Sequence, residues 1–311
     1  MSRVLFLFLD GVGLGPDHPV RNPFTVARMP AMEEALGGRR LVEGAAPFDG
    51  PRASLRAVDA CLGIPGAPQS ASGQASLLTG RNVPKEIGEH YGPKPNPAIA
   101  AILRQDSLFH QVLRRGGKAA LINAYPPRYF EAIQSGRRMY SAIPMAATAA
   151  GLPLMTAEDL QLGRALSADF TGAGWASQPG FPPAPVYTPE EAGARLARQT
   201  EDYDLTWFDF WPSDYAGHHG ELAAAVSLLE AFDGVWGGLV QAWGGRRDLI
   251  VLTSDHGNLE DLSLRGHTRN PVPVLIVGPE DMRRDFCRRL TDLTSLLPAV
   301  LEAIFPEGRP A

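Results

Sequence analysis

Residues 4–11, VLFLFLDG, place six apolar residues in a row and then stop on an aspartate and a glycine. A run this short and continuous fits a strand covered on both faces, because a half-exposed strand would alternate with polar residues. Two further runs end in the same way. Residues 205–211, LTWFDFW, are rich in aromatics and lead to Asp214; residues 249–253, LIVLT, lead to Asp255. All three read as buried parallel strands, each closed by a carboxylate. Weaker strand candidates are Lys118–Asn123, after the helical stretch Ser107–Arg115 and the turn Gly116-Gly117, and Val274–Val277, closing at Gly278-Pro279.

Helical patterns separate these runs. Glu221–Val240 is rich in Ala and Leu and starts after Gly220. Pro189–Thr200 has Thr188 as its N-cap, with Glu190 and Glu191 in the first turn, a strong start signal. The tail Thr291–Ile304 is helical in pattern as well. Strands alternating with helices predict an α/β fold, a three-layer α/β/α sandwich around a mainly parallel sheet. In such sheets ligands gather at the carboxyl ends of the strands, where Asp10, Asp214 and Asp255 would stand together. The chain reads as one domain over residues 1–311. Residues 126–187, with many Pro, Gly, Ala and Thr and little alternation, read as a small inserted cap over that edge.

Composition narrows the partners. Of 311 residues, 44% are apolar and 20% charged, which marks an ordinary globular protein rather than a disordered one. The net charge of −5 and the lack of any Lys/Arg run argue against nucleic acid, whose phosphates demand a basic face. Cys61 and Cys287 stand far apart, so neither a zinc cluster nor a disulfide framework is expected, and a cytoplasmic home follows. The run Val4–Leu9 is too short for a signal segment, and no stretch is expected to span a membrane. Oligomeric state is not readable from the sequence.

Three of the seven histidines sit in glycine-flanked, mostly acidic contexts: Asp214-Tyr215-Ala216-Gly217-His218, Asp255-His256-Gly257 and Gly266-His267-Thr268. Asp and His four apart share one side of a helical turn. Neighbours on a strand point to opposite faces, so Asp255 and His256 could each serve a different ion. Carboxylate and imidazole together suit Zn2+ or Mn2+. A further block, Gln69-Ser70-Ala71-Ser72-Gly73-Gln74-Ala75-Ser76-Leu77-Leu78-Thr79-Gly80-Arg81, sets small hydroxyl residues ahead of a helical Leu-Leu and a glycine stop. A nucleophile at a helix N-terminus would sit where the dipole holds an anion. Spacing alone leaves Ser70, Ser72, Ser76 and Thr79 in competition. Arg81, Lys85, His90, Arg128 and Arg269 are candidates to hold an anionic substrate.

Two other phosphate folds are excluded. A haloacid-dehalogenase phosphatase needs a second Asp two residues after the first, where this chain has Val12; a dinucleotide fold needs GxGxxG, which Gly11, Gly13 and Gly15 do not supply.

The order of these motifs resembles the alkaline phosphatase superfamily. Asp10-Gly11, the Ser70…Leu77-Leu78-Thr79-Gly80 block, Asp214…His218, Asp255-His256-Gly257-Asn258 and His267-Thr268-Arg269-Asn270-Pro271-Val272-Pro273 follow one another as they do there. The likeness is closest to cofactor-independent phosphoglycerate mutase. Ser70 falls where related sulfatases carry a modified cysteine and nucleotide pyrophosphatases a threonine. The resemblance implies an alkaline-phosphatase-like fold and two divalent ions, Mn2+ or Zn2+. One ion would take Asp10, Ser70, Asp255 and His256; the other would take Asp214, His218 and His267. It also implies that Ser70 is the nucleophile and that a small phosphorylated substrate passes through a phosphoserine. The pattern departs from the mutases in two places. Ala71 and Gln74 stand where they carry an acidic residue and a histidine, and about 60 irregular residues replace their large cap. Phosphomutase and phosphohydrolase both remain open. So do a phosphodiesterase or sulfatase-like hydrolase and a metal-binding module without turnover.

Overall fold

The computed structural model describes residues 2–306. Nine strands occur among them: β1 (Val4–Leu9), β2 (Phe48–Asp49), β3 (Ala53–Val58), β4 (Ala119–Leu121), β5 (Ala124–Tyr125), β6 (Met155–Thr156), β7 (Leu205–Phe210), β8 (Leu249–Thr253) and β9 (Val272–Val277). Seven form one sheet in the order β2-β3-β9-β8-β1-β7-β4, while β5 and β6 make a separate two-stranded ribbon. The three carboxylate-ended runs are strands β1, β7 and β8. They lie side by side and parallel, with Leu7 opposite both Phe208 and Leu252.

The sheet is mixed rather than mainly parallel. From β4 to β8 it is parallel, but β9, β3 and β2 each run antiparallel to the preceding strand. The reason lies between β8 and β9, where the chain returns through a loop containing no helix. Only a crossover, usually helical, brings a chain back parallel. The sequence reading had no strand at 53–58, although ASLRAV there alternates weakly.

Both faces of the sheet are apolar. Phe6, Phe8, Trp207, Val251 and Val274 point into one core; Leu5, Leu7, Phe208, Leu252 and Leu275 point into the other. This period of two on buried strands is what covering both faces requires. Helices Ser70–Thr79, Pro97–Gln105, Leu108–Arg114, Ala142–Ala149 and Leu296–Ile304 supply the first core; Pro189–Gln199 and Leu222–Trp243 supply the second. The last two cross so closely that a Cβ on Gly193 would meet the Val235 carbonyl oxygen at 2.0 Å, and one on Gly238 would meet that of Glu190 at 2.1 Å. Helix Leu222–Trp243 is long and apolar enough, by length and composition, to cross a membrane, contrary to the expectation that no segment would be. Its apolar face is used inside the fold, where Leu229, Phe232, Trp236 and Leu239 are buried.

Residues 126–187 are drawn into this framework at several points. Helix Ala142–Ala149 lies in the first core, Phe170 stacks on Phe208 at 4.3 Å between ring centres, and Trp175 packs with Leu160 and Ala165 beside the ribbon.

Candidate metal centre

The seven ligand candidates come from five separate chain segments and converge at the carboxyl ends of β1, β7 and β8. Asp10 follows β1 directly, and its neighbour Gly11 turns with φ +69°. A Cβ at Gly11 would meet Asp214 Oδ1 at 2.6 Å, so glycine answers both the left-handed turn and the close approach. Asp214 and His218 lie on helix Pro212–His219, which begins where β7 ends. Asp255 and His256 follow β8, and His267 comes from the loop that leads back to β9. Ser70 is the first residue of helix Ser70–Thr79.

Two groups of atoms form. In the first, His256 Nε2 lies 3.0 Å from Ser70 Oγ, 3.3 Å from Asp10 Oδ1 and 3.6 Å from Asp255 Oδ2. In the second, His218 Nε2 lies 3.4 Å from Asp214 Oδ2 and 3.3 Å from His267 Nε2, and His267 Nε2 lies 3.8 Å from Asp214 Oδ1. Ligands about 2.1 Å from a tetrahedral ion stand roughly 3.4 Å from one another. Both groups match that spacing. The His256 and His267 rings stack at 3.6 Å, so the groups adjoin. Asp255 joins the Asp10 group, while His256 lies within reach of both that group and Asp214 and His267. β8 ends at Thr253, and past it the alternation of a strand no longer applies.

The donor chemistry fits divalent cations. Both Asp255 carboxylate oxygens and Asp10 Oδ1 are buried with no hydrogen-bond donor, an arrangement that costs free energy unless positive charge meets them. Burial, then the Asp255 charge, pushes the Asp10 carboxyl up to about 8. Burial likewise raises Asp255. Burial works against a charged His256, yet Asp255 and Asp10 together raise it to about 10. His267 is lowered to about 4, by burial first and then by His256. Protons thus occupy the centre when nothing else does, and ligand-bound metal would release them. The outer ring nitrogens are committed as well. His267 Nδ1 donates to the Pro68 carbonyl at 2.7 Å, and His256 Nδ1 lies 3.3 Å from the Gly257 carbonyl. This leaves each Nε2 facing inward as a ligand atom.

The anion-holding candidates do not join the centre. Arg81 lies past the far end of helix Ser70–Thr79, a rise of about 15 Å from Ser70, and is bound to Glu86 and Gln105. Lys85 is exposed on the next short helix, Val83–Ile87. Arg128 lies over the Phe181 ring, 4.2 Å from its centre. His90 and Arg269 are neighbours outside the ligand groups; burial first, then Arg269, lowers His90, whose Nε2 lies 3.3 Å from the Ile64 carbonyl.

Residues outside the candidate ligands and anion-holders also stand close to the centre. Gln74 Nε2 donates to Asp10 Oδ2 at 3.3 Å, and Asn258 Nδ2 donates to Asp214 Oδ1 at 2.7 Å. Asp209 is buried with Oδ1 unpartnered; burial raises its carboxyl, and Asp10 adds to the effect. Lys94, half-buried, is lowered by burial and by Arg138, while Asp209 and Asp10 pull it upward. A charged residue inside a strand that is otherwise apolar was the available signal for Asp209.

Residues 187–305 match the family model described as the Metalloenzyme superfamily. Over 126 residues the chain is 32% identical to the 2,3-bisphosphoglycerate-independent phosphoglycerate mutase of Moorella thermoacetica, a match covering 39% of this chain and 24% of that protein. The chain spans about a quarter of the length of the curated relatives it matches. Among solved structures, a protein of Pyrococcus horikoshii superposes with a TM-score of 0.58 at 15% identity, covering 100% of this chain and 98% of that one. The alkaline phosphatase of the Antarctic bacterium TAB5 gives 0.50 at 14%, covering 97% and 98%. The expected α/β class holds, and the relatives matched in sequence carry the phosphoglycerate mutase name to which the resemblance pointed.

Proposed function

We propose that this chain is a binuclear metal-dependent phosphoryl-transfer enzyme that carries the phosphoryl group of a small phosphorylated substrate on Ser70. The observation that carries the reading is the position of Ser70 Oγ, buried and 3.0 Å from His256 Nε2, inside the group of ligand atoms. No other hydroxyl of its helix shares that position. Ser76 and Thr79 are turned back onto the carbonyls of Ser72 and Ala75, and Ser72 binds the Gln69 carbonyl. Structure thus favours the residue that family resemblance selects.

Asp10, Ser70, Asp255 and His256 would hold one ion, and Asp214, His218 and His267 the other, with Mn2+ or Zn2+ suited to these donors. Such ions, when bound, lower the pKa of a coordinated hydroxyl and offset charge on phosphoryl oxygens. The residues themselves do the rest. Ser70 begins a helix, so the positive end of the dipole faces the oxygens that gather at Oγ. Its oxygen, having lost the hydroxyl proton to solvent, attacks phosphorus in line; the P–O ester bond breaks, the ester oxygen leaves on the opposite side and takes a proton from solvent, and phosphoserine remains. Lys94 and Arg138 bring positive charge to the side of the centre where Asp10 and Asp209 lie, and are read as holding the rest of the substrate. Water as the acceptor makes a phosphohydrolase; a hydroxyl of the retained substrate makes a mutase.

Turnover of a panel of phosphomonoesters, phosphodiesters, sulfate esters and 3-phosphoglycerate by the Mn2+- or Zn2+-loaded protein tests this. Acid-quenched samples should carry phosphate on Ser70 by mass spectrometry, and Ser70→Ala should lose at least ~1000-fold in rate. Undiminished turnover in Ser70→Ala would overturn the phosphoserine. Bound metal with no turnover on any ester would favour a binding module instead.

A further inference from the structure

Glu260 has no side-chain exposure and, among the described residues, no salt bridge. A buried carboxylate without a cation is costly unless its lone pairs are filled. Here they are filled, and the donors are informative. Oε2 accepts from the backbone N–H of Gly13 at 2.9 Å and of Asn258 at 2.8 Å. Oε1 accepts from the Thr268 hydroxyl and from Asn270 Nδ2, the latter at 3.0 Å. Each donor lies within three residues of a ligand candidate: Gly13 beyond Asp10, Asn258 beyond Asp255 and His256, Thr268 and Asn270 beyond His267. Asn258 extends the tie to the fourth segment by donating to Asp214 Oδ1.

The surrounding chain is cut to fit this side chain. A Cβ on Gly13 would meet Glu260 Oε1 at 2.3 Å, one on Gly257 would meet it at 2.2 Å, and one on Gly15 would meet Cγ at 2.6 Å. Three glycines on two loops thus leave the room in which the carboxylate sits.

We propose that Glu260 is a positioning residue for the metal centre. It fixes three ligand-bearing loops relative to one another and, through Asn258, reaches Asp214. The inference rests on the reading of the centre as a metal site. The role is one of geometry: acceptors at a fixed place hold loops that have no strand or helix of their own. Outer partners that orient ligands are commonly worth 10–100-fold in metal affinity. A glutamine can keep Oε1 on the two backbone N–H groups and donate its amide to the Thr268 oxygen, which can accept.

The test measures Mn2+ and Zn2+ dissociation constants by competition with a chelating dye, with amide hydrogen exchange of the metal-free protein in parallel. Glu260→Ala should weaken metal binding about 10–100-fold and speed exchange at Gly13 and Asn258. Glu260→Gln should restore affinity to within a few-fold. Should Glu260→Ala fail to fold, Gly13→Ala, which drives a methyl into Oε1 and removes no donor, should weaken binding in the same way. Wild-type affinity in folded Glu260→Ala or Gly13→Ala, with unchanged exchange at both amides, would overturn the proposal. Wild-type protein that takes up no metal would overturn the metal reading, and the exchange data would still decide whether Glu260 orders the loops.

Discussion

Replacing Asp255 by asparagine should stabilise the metal-free protein and blunt the stabilisation that metal brings. Both Asp255 oxygens and Asp10 Oδ1 are buried without a hydrogen bond, and the His256 ring stands 3.6 Å and 3.3 Å away. An unsatisfied buried polar group costs about 1–3 kcal/mol. Asparagine removes a buried charge and offers an N–H to the Asp10 oxygen, so the metal-free variant should gain about 1–3 kcal/mol, offset in part by the attraction that the His256 ring loses. At roughly 2 °C per kcal/mol for a chain of this size, that raises Tm by about 2–6 °C. With metal that gain is cancelled or reversed. Wild-type protein at a thousandfold excess over Kd gains about 4 kcal/mol. A hundredfold weaker variant, which takes the upper end of the loss seen for outer partners, would gain only about 1.4 kcal/mol at the same metal concentration. Differential scanning calorimetry of chelator-treated and metal-loaded samples reads both numbers. A metal-free variant that melts below the wild type, or an undiminished metal shift, would refute the claim that Asp255 is kept for a cation.

Two further outcomes follow from the charges. In the metal-free protein Asp10 keeps its proton to about 8 against an ordinary 3.8, and His256 to about 10 against 6.5. Each stabilises the fold below its unfolded value and loses that contribution as pH rises through the folded one. His267, lowered to about 4, stabilises above 6.5 and loses its contribution as pH falls through 4, so it offsets Asp10 over the acidic range. Stability should therefore decline from about 6.5 upward, most steeply to about 8, with Asp255 and Asp209, both raised by burial, pulling in the same direction. Urea midpoints of chelator-treated protein that stay level or rise across that window would contradict this. Separately, Lys94→Ala should raise KM for the best phosphorylated substrate about tenfold while leaving phosphoserine formation at Ser70 intact, a ground-state binding loss; an unchanged KM would remove Lys94 from the substrate site.

The parallel heart of the fold was legible because its residues answer to one local rule. VLFLFL has no polar position to expose and LIVLT only its terminal threonine, so burial on both faces was the natural reading, and the terminal carboxylates marked the edge where ligands gather. Thr188 and Glu191 form the capping box at the head of Pro189–Gln199, where the sequence signal lay. The antiparallel edge was not legible. Its direction depends on whether the loop from Ser254 to Pro271 contains a crossover, a three-dimensional property that no local pattern records. At the centre, the histidine and aspartate ligands showed through their glycine-flanked turns, whereas choosing Ser70 needed family resemblance. Glu260 was invisible for a different reason. A glutamate reads as a surface residue until its four donors, drawn from positions 13, 258, 268 and 270, are brought round it.

The central place of β1 bears on how the chain is made. Val4 pairs with Leu205 on one side and Leu249 on the other, so both neighbours of this strand are encoded about two hundred residues or more downstream. At a synthesis rate of about 5–20 residues per second, VLFLFL waits roughly 10–40 s before β7 leaves the ribosome, and longer for β8. Six uncharged apolar residues with high β propensity and no proline are prone to pair with other chains in that interval. The strand that leads into Asp10 is thus the part of the nascent protein most in need of shelter. Yield of soluble enzyme should depend on chaperone supply more than on the stability of the finished fold.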